Sequence, residues 1–222
     1  MGSGFWPRPI SNGMNKKVVI IDYGLGNIAS VKKGFKRLGV EAIVSDQPSD
    51  IATADALVLP GVGAFGDGMQ NLKQKGLIEI LEKKVLQEKT PFIGLCLGMQ
   101  LLASKSYEFG EYQGLGWIAG EVVKITGPAD LRLPHVGWNE VEPAPGNKLY
   151  QGIEEKDFYF VHSYHFKPTD PAVISGSCDY GVNFAASLEQ DNIFATQFHP
   201  EKSQTSGLQL LANFMNYVNA KS

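Results

Sequence analysis

Pro91-Phe92-Ile93-Gly94-Leu95-Cys96-Leu97-Gly98 runs an apolar segment into a cysteine set between two glycines, and its reading decides the fold. Pro91 to Leu95 suits a strand covered on both faces, and Leu97 to Ser104 has the pattern of a helix directly behind it. The cysteine therefore sits on a sharp strand-to-helix turn, in the pattern G-x-C-x-G. Such a turn forces its central residue into strained backbone angles, and only glycines two before and two after avoid colliding with it. A helix starting at Leu97 would aim its N-terminal dipole at the sulfur and favour the thiolate. The Leu97 amide, the first of that helix, can donate to a developing oxyanion. Cys96 is thus a candidate nucleophile; the alternative is a buried core cysteine with incidental glycines.

Reading outward, Lys17 to Asp22 is another apolar strand. Ile28, Val31, Phe35 and Leu38 then recur at helical spacing, with Gly39 where a C-cap belongs. Glu41–Ser45 and Ala56–Leu59 read as further strands, and about Asp67 to Lys89 as one long helix. Strands alternating with helices imply right-handed crossovers, hence an open, mostly parallel sheet with helices on both faces. Past Trp117 short β segments dominate: Glu121–Ile125, Val136–Val141, Phe158–Phe166, Ala172–Ser175, Ala185–Leu188 and Ile193–Phe198. Glu189–Asn192 reads as a hairpin turn. A last amphipathic helix carries Leu208, Leu211, Met215 and Val218, with Ser206 as its expected N-cap. The pattern predicts one α/β domain over residues 16–222 with an antiparallel C-terminal elaboration. Residues 1–15, rich in Gly, Pro and Ser, read as a leader or loose arm, with Met14 a plausible start.

Composition narrows the function. The 222 residues are 43% hydrophobic and 19% charged with net charge −3, and Lys and Arg form only short pairs. That argues against nucleic acid or an anionic membrane as partner. No apolar run reaches the roughly 20 residues of a membrane helix, and the N-terminus lacks the charged-then-apolar order of a secretory signal. Only two cysteines occur, Cys96 and Cys178, in quite different contexts, which argues against a disulfide framework and suits a reducing cytoplasm.

A thiol nucleophile needs a base, and the base an orienting group. Thr196-Gln197-Phe198-His199-Pro200-Glu201 places His199 at a strand end, with Pro200 fixing the bend and Glu201 able to accept from the second imidazole nitrogen. His162 and His165 invite a metal reading, but no Cys or carboxylate at suitable spacing completes a ligand set, so no metal or cofactor is expected. A rival of another class remains: Gly24-Leu25-Gly26-Asn27-Ile28-Ala29 fits G-x-G-x-x-A after a strand, with Asp46 roughly 20 residues on, as in dinucleotide-binding proteins. That rival leaves the cysteine turn and His-Pro-Glu unexplained.

Together, the Cys96 turn with Met99-Gln100, Pro60-Gly61-Val62-Gly63 and Gln197-Phe198-His199-Pro200-Glu201-Lys202 resemble the class I, or triad, glutamine amidotransferases, a flavodoxin-like fold. Asp22 to Asn27, Pro134-His135-Val136-Gly137-Trp138-Asn139 and Phe160-Val161-His162-Ser163-Tyr164 resemble more narrowly the HisH family, the glutaminase subunits of imidazole glycerol phosphate synthase. The resemblance runs from about Lys17 to Tyr217. It implies that Cys96 attacks the side-chain amide of L-glutamine, His199 protonates the departing ammonia and Glu201 orients His199. It further implies Val62 beside Leu97 as oxyanion donor, the Val62 amide having to turn inward first, and Gly61, Gly63, Gln100, Ser163 and Tyr164 as glutamine-binding positions. The implied partner is a HisF-like cyclase, which uses the ammonia to make imidazole glycerol phosphate and AICAR from PRFAR in histidine biosynthesis. Trp138 and Asn139 fall in a segment that the resemblance assigns to the face toward that partner, as an exposed loop. The intact Cys96, His199 and Glu201 argue against a non-enzymatic subunit of the same fold; amidotransferases serving other acceptors, or a HisH-like paralogue, stay open on the residues alone.

Overall fold

The computed structural model describes residues 16–221; the expected leader, residues 1–15, lies outside the described residues. The chain alternates through β1 (Val18–Ile21), α1 (Ile28–Arg37), β2 (Ile43–Ser45), α2 (Pro48–Ala52) and β3 (Ala56–Gly61). It continues through α3 (Phe65–Gln74), α4 (Ile78–Glu82), β4 (Phe92–Cys96) and the single turn α5 (Leu97–Gln100). Short strands follow: β5 (Lys105–Ser106), β6 (Tyr112–Gln113), β7 (Gly120–Lys124), β8 (His135–Glu140), β9 (Glu142–Pro143), β10 (Asp157–His162) and β11 (Tyr164–Pro168). The chain ends with β12 (Ile174–Asp179), β13 (Asn183–Gln190), β14 (Ile193–Thr196) and α6 (Gln204–Ala220).

The main sheet has the order β2-β1-β3-β4-β14-β13-β12-β9. Its first five strands pair in parallel and the rest antiparallel, so the parallel core and the antiparallel elaboration share one sheet. Alternate residues of the parallel strands serve two separate cores, one on each face. Val19, Ile21, Leu57 and Leu59 pack with Phe65, Leu72 and Leu81; Val18, Ile20, Ala56 and Val58 pack with Phe35, Leu211 and Phe214. All are fully or almost fully buried, each large side chain contributing about 1.5–3 kcal/mol. Among the described residues no helix is long and apolar enough to cross a membrane.

Four expectations need correction. The helix expected from Asp67 to Lys89 is broken: Gly76 takes φ +64°, and the Leu77 and Gly76 amides donate to Leu72 and Lys73 carbonyls, the bond pattern that ends a helix in a left-handed residue. After α4 the backbone passes into a π-helical turn, Lys83–Gln87. The helix behind Cys96 is one turn, not the eight residues of Leu97 to Ser104. The last helix starts at Gln204, so Ser206 lies within it and its hydroxyl donates to the Glu155 carbonyl. Finally, the segment from Phe158 to Phe166 is two strands: β10 pairs with β8 and β11 with β7, the chain changing sheets at Ser163.

The β8–β10 ribbon carries a buried pair of histidines. His135 Nδ1 and His162 Nε2 are 3.0 Å apart, and His162 Nδ1 lies 2.9 Å from the Tyr164 carbonyl oxygen. A carbonyl only accepts, so His162 is protonated at Nδ1 and accepts from His135 at Nε2. The His135 ring stacks on Tyr180 at 3.9 Å and on Phe160 at 4.8 Å. Burial pushes the His135 imidazole down to about 4 and that of His162 to about 3, against an ordinary 6.5. The unfolded chain then binds protons that the folded chain refuses. The stability from the neutral pair is complete above about pH 6.5 and lost as pH falls toward 4, by at most about 1.4 kcal/mol per pH unit per proton. Thermal denaturation between pH 7 and 4.5 should show this decline, and His162→Gln should lower stability at pH 7 while flattening the decline. An equal slope in the variant would refute the assignment.

Candidate active site

Cys96 ends β4 with φ +54° and ψ −108°, the strained conformation expected of the turn. The flanking glycines are there for contact distance. A Cβ on Gly98 would lie 1.9 Å from the Leu59 carbonyl oxygen, and one on Gly94 would lie 2.6 Å from the Gly98 carbonyl oxygen. Neither obstacle is a flexible side chain. Gly61, register partner of Cys96 across β3 and β4, is equally confined: its Cβ would meet the Tyr23 hydroxyl at 2.3 Å and Leu97 Cβ at 2.8 Å. Of the oxyanion-strand candidates Gly61 therefore adjoins the nucleophile, while Val62 is exposed and Gly63 takes φ +106°.

His199 arrives from the neighbouring strand. β14 ends at Thr196, and the His199 amide donates to the Tyr159 carbonyl at 2.9 Å. Pro200 opens a 3₁₀ turn, Pro200–Lys202, and the Ser203 hydroxyl donates back to the His199 carbonyl at 2.6 Å. The turn brings Glu201 Oε1 to 2.9 Å from His199 Nδ1, with the two side chains 1% and 3% exposed. Nδ1 is thus the donor nitrogen toward the carboxylate, leaving Nε2 without a hydrogen-bond partner among the described residues. Burial alone would lower the imidazole pKa, but the neighbouring Cys96 sulfur and the Glu201 carboxylate outweigh it and hold it well above the ordinary value. The Cys96 sulfur acts on the imidazole as a close hydrogen-bond partner before it acts through charge, although the Nε2–sulfur geometry falls short of an ordinary hydrogen bond.

Of the other expected positions, Gln100 and Tyr164 are brought together at the turn. Gln100 Nε2 donates to the Tyr164 carbonyl at 2.9 Å and to Gln197 Oε1 at 3.0 Å. Because the carbonyl fixes which end of Gln100 is the donor, Gln197 must present its oxygen to Gln100 and its NH₂ to Cys96 Sγ, 3.8 Å away. Gln197, fully buried, carries no role in the sequence reading, although its place two residues before His199 on a strand end is a legible signal. Ser163 is the hinge between β10 and β11. Trp138 is exposed, at 47%, but it lies in strand β8 and not in a loop; its ring meets Tyr159 edge-on at 6.1 Å. The Asn139 side chain is committed within the chain, donating to the Asp179 carbonyl and accepting from the Glu140 amide.

The other candidate chemistries are differently placed. The Gly24–Ala29 stretch opens α1, but the Asn27 side chain caps that helix by accepting from Ser30, and Asp46 is paired with Lys75 at 2.8 Å. His162 has both ring nitrogens engaged, and among the described residues no group of three His, Cys, Asp or Glu could hold a metal ion. Cys178 is buried in β12, where burial pushes its thiol up to about 12.

The sequence profile of the class-I glutamine amidotransferases matches residues 19–217. The chain belongs to that family. Similar relatives include subunit HisH 1 of imidazole glycerol phosphate synthase from Campylobacter jejuni, 52% identical over 198 residues, covering 89% of this chain and 98% of the relative. The HisH subunit from Geobacter sulfurreducens is 48% identical, with 89% and 97% covered. Among solved structures, a glutamine amidotransferase superposes with TM-score 0.72 at 20% identity, covering 91% of this chain and 98% of that one. PurLQS from Thermotoga maritima superposes with TM-score 0.70 at 16% identity, with 92% and 99% covered. At such identity these two establish the fold: an α/β amidotransferase fold with a large mostly parallel sheet.

The contact distances at the turn give a direct test. Gly98→Ala drives a methyl group into backbone, so it should cost at least about 3 kcal/mol or prevent folding, measured by denaturant titration. Near-wild-type stability would mean that the turn does not pack this closely on β3.

Proposed function

We propose that this chain is the glutaminase subunit of an imidazole glycerol phosphate synthase, hydrolysing L-glutamine to glutamate and ammonia. The observation that carries the chemistry is Cys96 at a strained turn, facing an imidazole whose far nitrogen is held by Glu201. The observation that favours this synthase over other amidotransferases is 48–52% identity to subunits named HisH over nearly their whole length.

In the proposed cycle the Cys96 sulfur attacks the glutamine side-chain carbon. The oxyanion that forms is held by the Leu97 amide and, once turned inward, by the Val62 amide. His199, protonated at both nitrogens, gives its Nε2 proton to the departing nitrogen, which leaves as ammonia, and a glutamyl thioester remains. Water then attacks the thioester as His199 takes its proton; glutamate leaves and the thiol is restored. Glu201 accepts from Nδ1 and fixes the ring. The hydrogen bonds that join Gln100, Gln197 and the Tyr164 carbonyl next to Cys96 support a glutamine-binding role there, and Gly61, Gly63 and Ser163 are proposed for the same role.

Ammonia is useful only if an acceptor enzyme is docked, and the proposed partner is a cyclase subunit. Val136 and Trp138 on β8 stand exposed opposite Val161 and Tyr159 on β10, an apolar face next to the strand that leads into Ser163 and Tyr164. Trp138 is the proposed partner contact, while Asn139 holds the strand end in place.

Cys96→Ala should abolish glutamine hydrolysis while the complex still runs its synthase reaction on added ammonium salt, and Cys178→Ala should change neither rate. Peptide mapping after a glutamine-analogue electrophile should find the label on Cys96; label on Cys178 would sink the assignment. A second expectation concerns the gate. One missing oxyanion donor costs on the order of 100- to 1000-fold, so a Val62 amide turned away keeps the lone subunit slow. Glutaminase assays of the chain alone, with cyclase, and with cyclase plus acceptor ligand should rise by at least two orders of magnitude. Full activity in the isolated chain would refute the gate.

A further inference from the structure

Tyr23 is fully buried at the end of β1, and its hydroxyl has no hydrogen-bond partner among the described residues. Leaving a buried hydroxyl unpaired is unfavourable, and a phenylalanine would fill the same space without that cost. The hydroxyl occupies the spot that a side chain on Gly61 would take, 2.3 Å from an ideal Cβ there and beside the first turn of α5. Two further facts place it at the site: Gly61 is the register partner of Cys96, and the charge of Cys96 adds to burial in lifting the Tyr23 phenol above its ordinary range.

We propose that the Tyr23 hydroxyl is a positioning group for the oxyanion strand, donating to the Gly61 carbonyl when the Gly61–Val62 peptide turns. The peptide is planar, so its N–H and C=O point opposite ways. When the Val62 N–H swings toward Cys96, the Gly61 oxygen on the same plane swings away from it. A carbonyl turned into the interior needs a donor, or the turn is penalised. The buried donor without a partner that touches Gly61 is Tyr23. Its hydroxyl is unpaired in the resting arrangement and paired in the turned one, which makes the bond count as differential stabilisation of the active state. The inference rests on the glutaminase reading and extends it to the gate.

The test is Tyr23→Phe in the complex with the cyclase subunit and acceptor ligand. Loss of one neutral hydrogen bond present only in the turned state should lower kcat for glutamine about three- to tenfold, leaving KM unchanged. The melting temperature should be unchanged or higher, because the resting chain loses an unpaired hydroxyl. Alkylation of Cys96 by iodoacetamide, a displacement that forms no oxyanion, should proceed at the wild-type rate. Equal kcat in the variant would overturn the proposal while wild-type turnover left the glutaminase reading standing. Slowed alkylation would overturn it in favour of a bond to the thiolate. Absence of glutamine hydrolysis in the wild-type complex would overturn both readings together.

Discussion

The Gly98 backbone lies so close to the Leu59 carbonyl that no side chain fits between them, and the site depends on that approach. It lets the chain reverse within one residue after β4, at the cost of a left-handed cysteine. It also sets the Leu97 and Gly98 amides beside the end of β3, where Gly61 and Val62 begin the adjoining strand end. Moving α5 outward by the width of a methyl group would part the nucleophile and the Leu97 amide from the Gly61–Val62 end of β3. The cost of the strained residue is spread over the two cores flanking the parallel strands, which hold β3, β4 and β14 in register.

The electrostatic arrangement follows from that register. β14 lies next to β4, so the chain leaving β14 must pass the sulfur within a few residues, and Pro200 turns it so that one imidazole edge meets Glu201. Water is excluded from the pair, so each charge acts at low effective dielectric. The contrast with Cys178 is instructive. It is equally buried, but it faces the Asp179 carbonyl and no cationic group, and burial raises its thiol. Burial by itself silences a cysteine; Cys96 differs in facing an imidazole held by Glu201.

Much of this was legible in the sequence because it is local. Cys96 with its glycines, and His199 with Glu201, are fixed by spacings of two residues. The parallel strands follow from unbroken apolar runs. Gly39 was readable as a helix stop because a strand pattern follows it, whereas Gly76 was hidden because Ile78, Ile80 and Leu81 resume a helical period directly afterwards. The single β segment read across Ser163 failed for a related reason: alternation continues through the hinge, and only the pairing partners reveal two sheets. Tyr23 was illegible as a site residue because its neighbour Gly61 is distant in sequence, whereas Gln197, two residues before His199, lay within reach of the local reading that found the histidine. Trp138 read correctly as exposed, and Val136–Val141 read as β from its own residues; the loop came only from the family resemblance, and the pairing of β8 with β10 corrects it.

The β8–β10 ribbon and the main sheet meet at the active site, by way of the first residue of β11, through a line of hydrogen bonds whose direction is determined at every step. His135 donates to His162, and His162 and Gln100 both donate to the Tyr164 carbonyl. Gln100 also donates to Gln197, whose amide then has only its NH₂ left for Cys96. One acceptor, a backbone carbonyl, sets the tautomer of one histidine and the orientation of two glutamines. That carbonyl belongs to the residue just past the sheet change, which explains why the hinge at Ser163 matters. Tyr164 opens β11 opposite Lys124 of β7, and its carbonyl ties the ribbon bearing Trp138 to the strands bearing Cys96 and His199. A polar line with every donor assigned tolerates little sliding, so the ribbon cannot shift against the main sheet without breaking a buried bond.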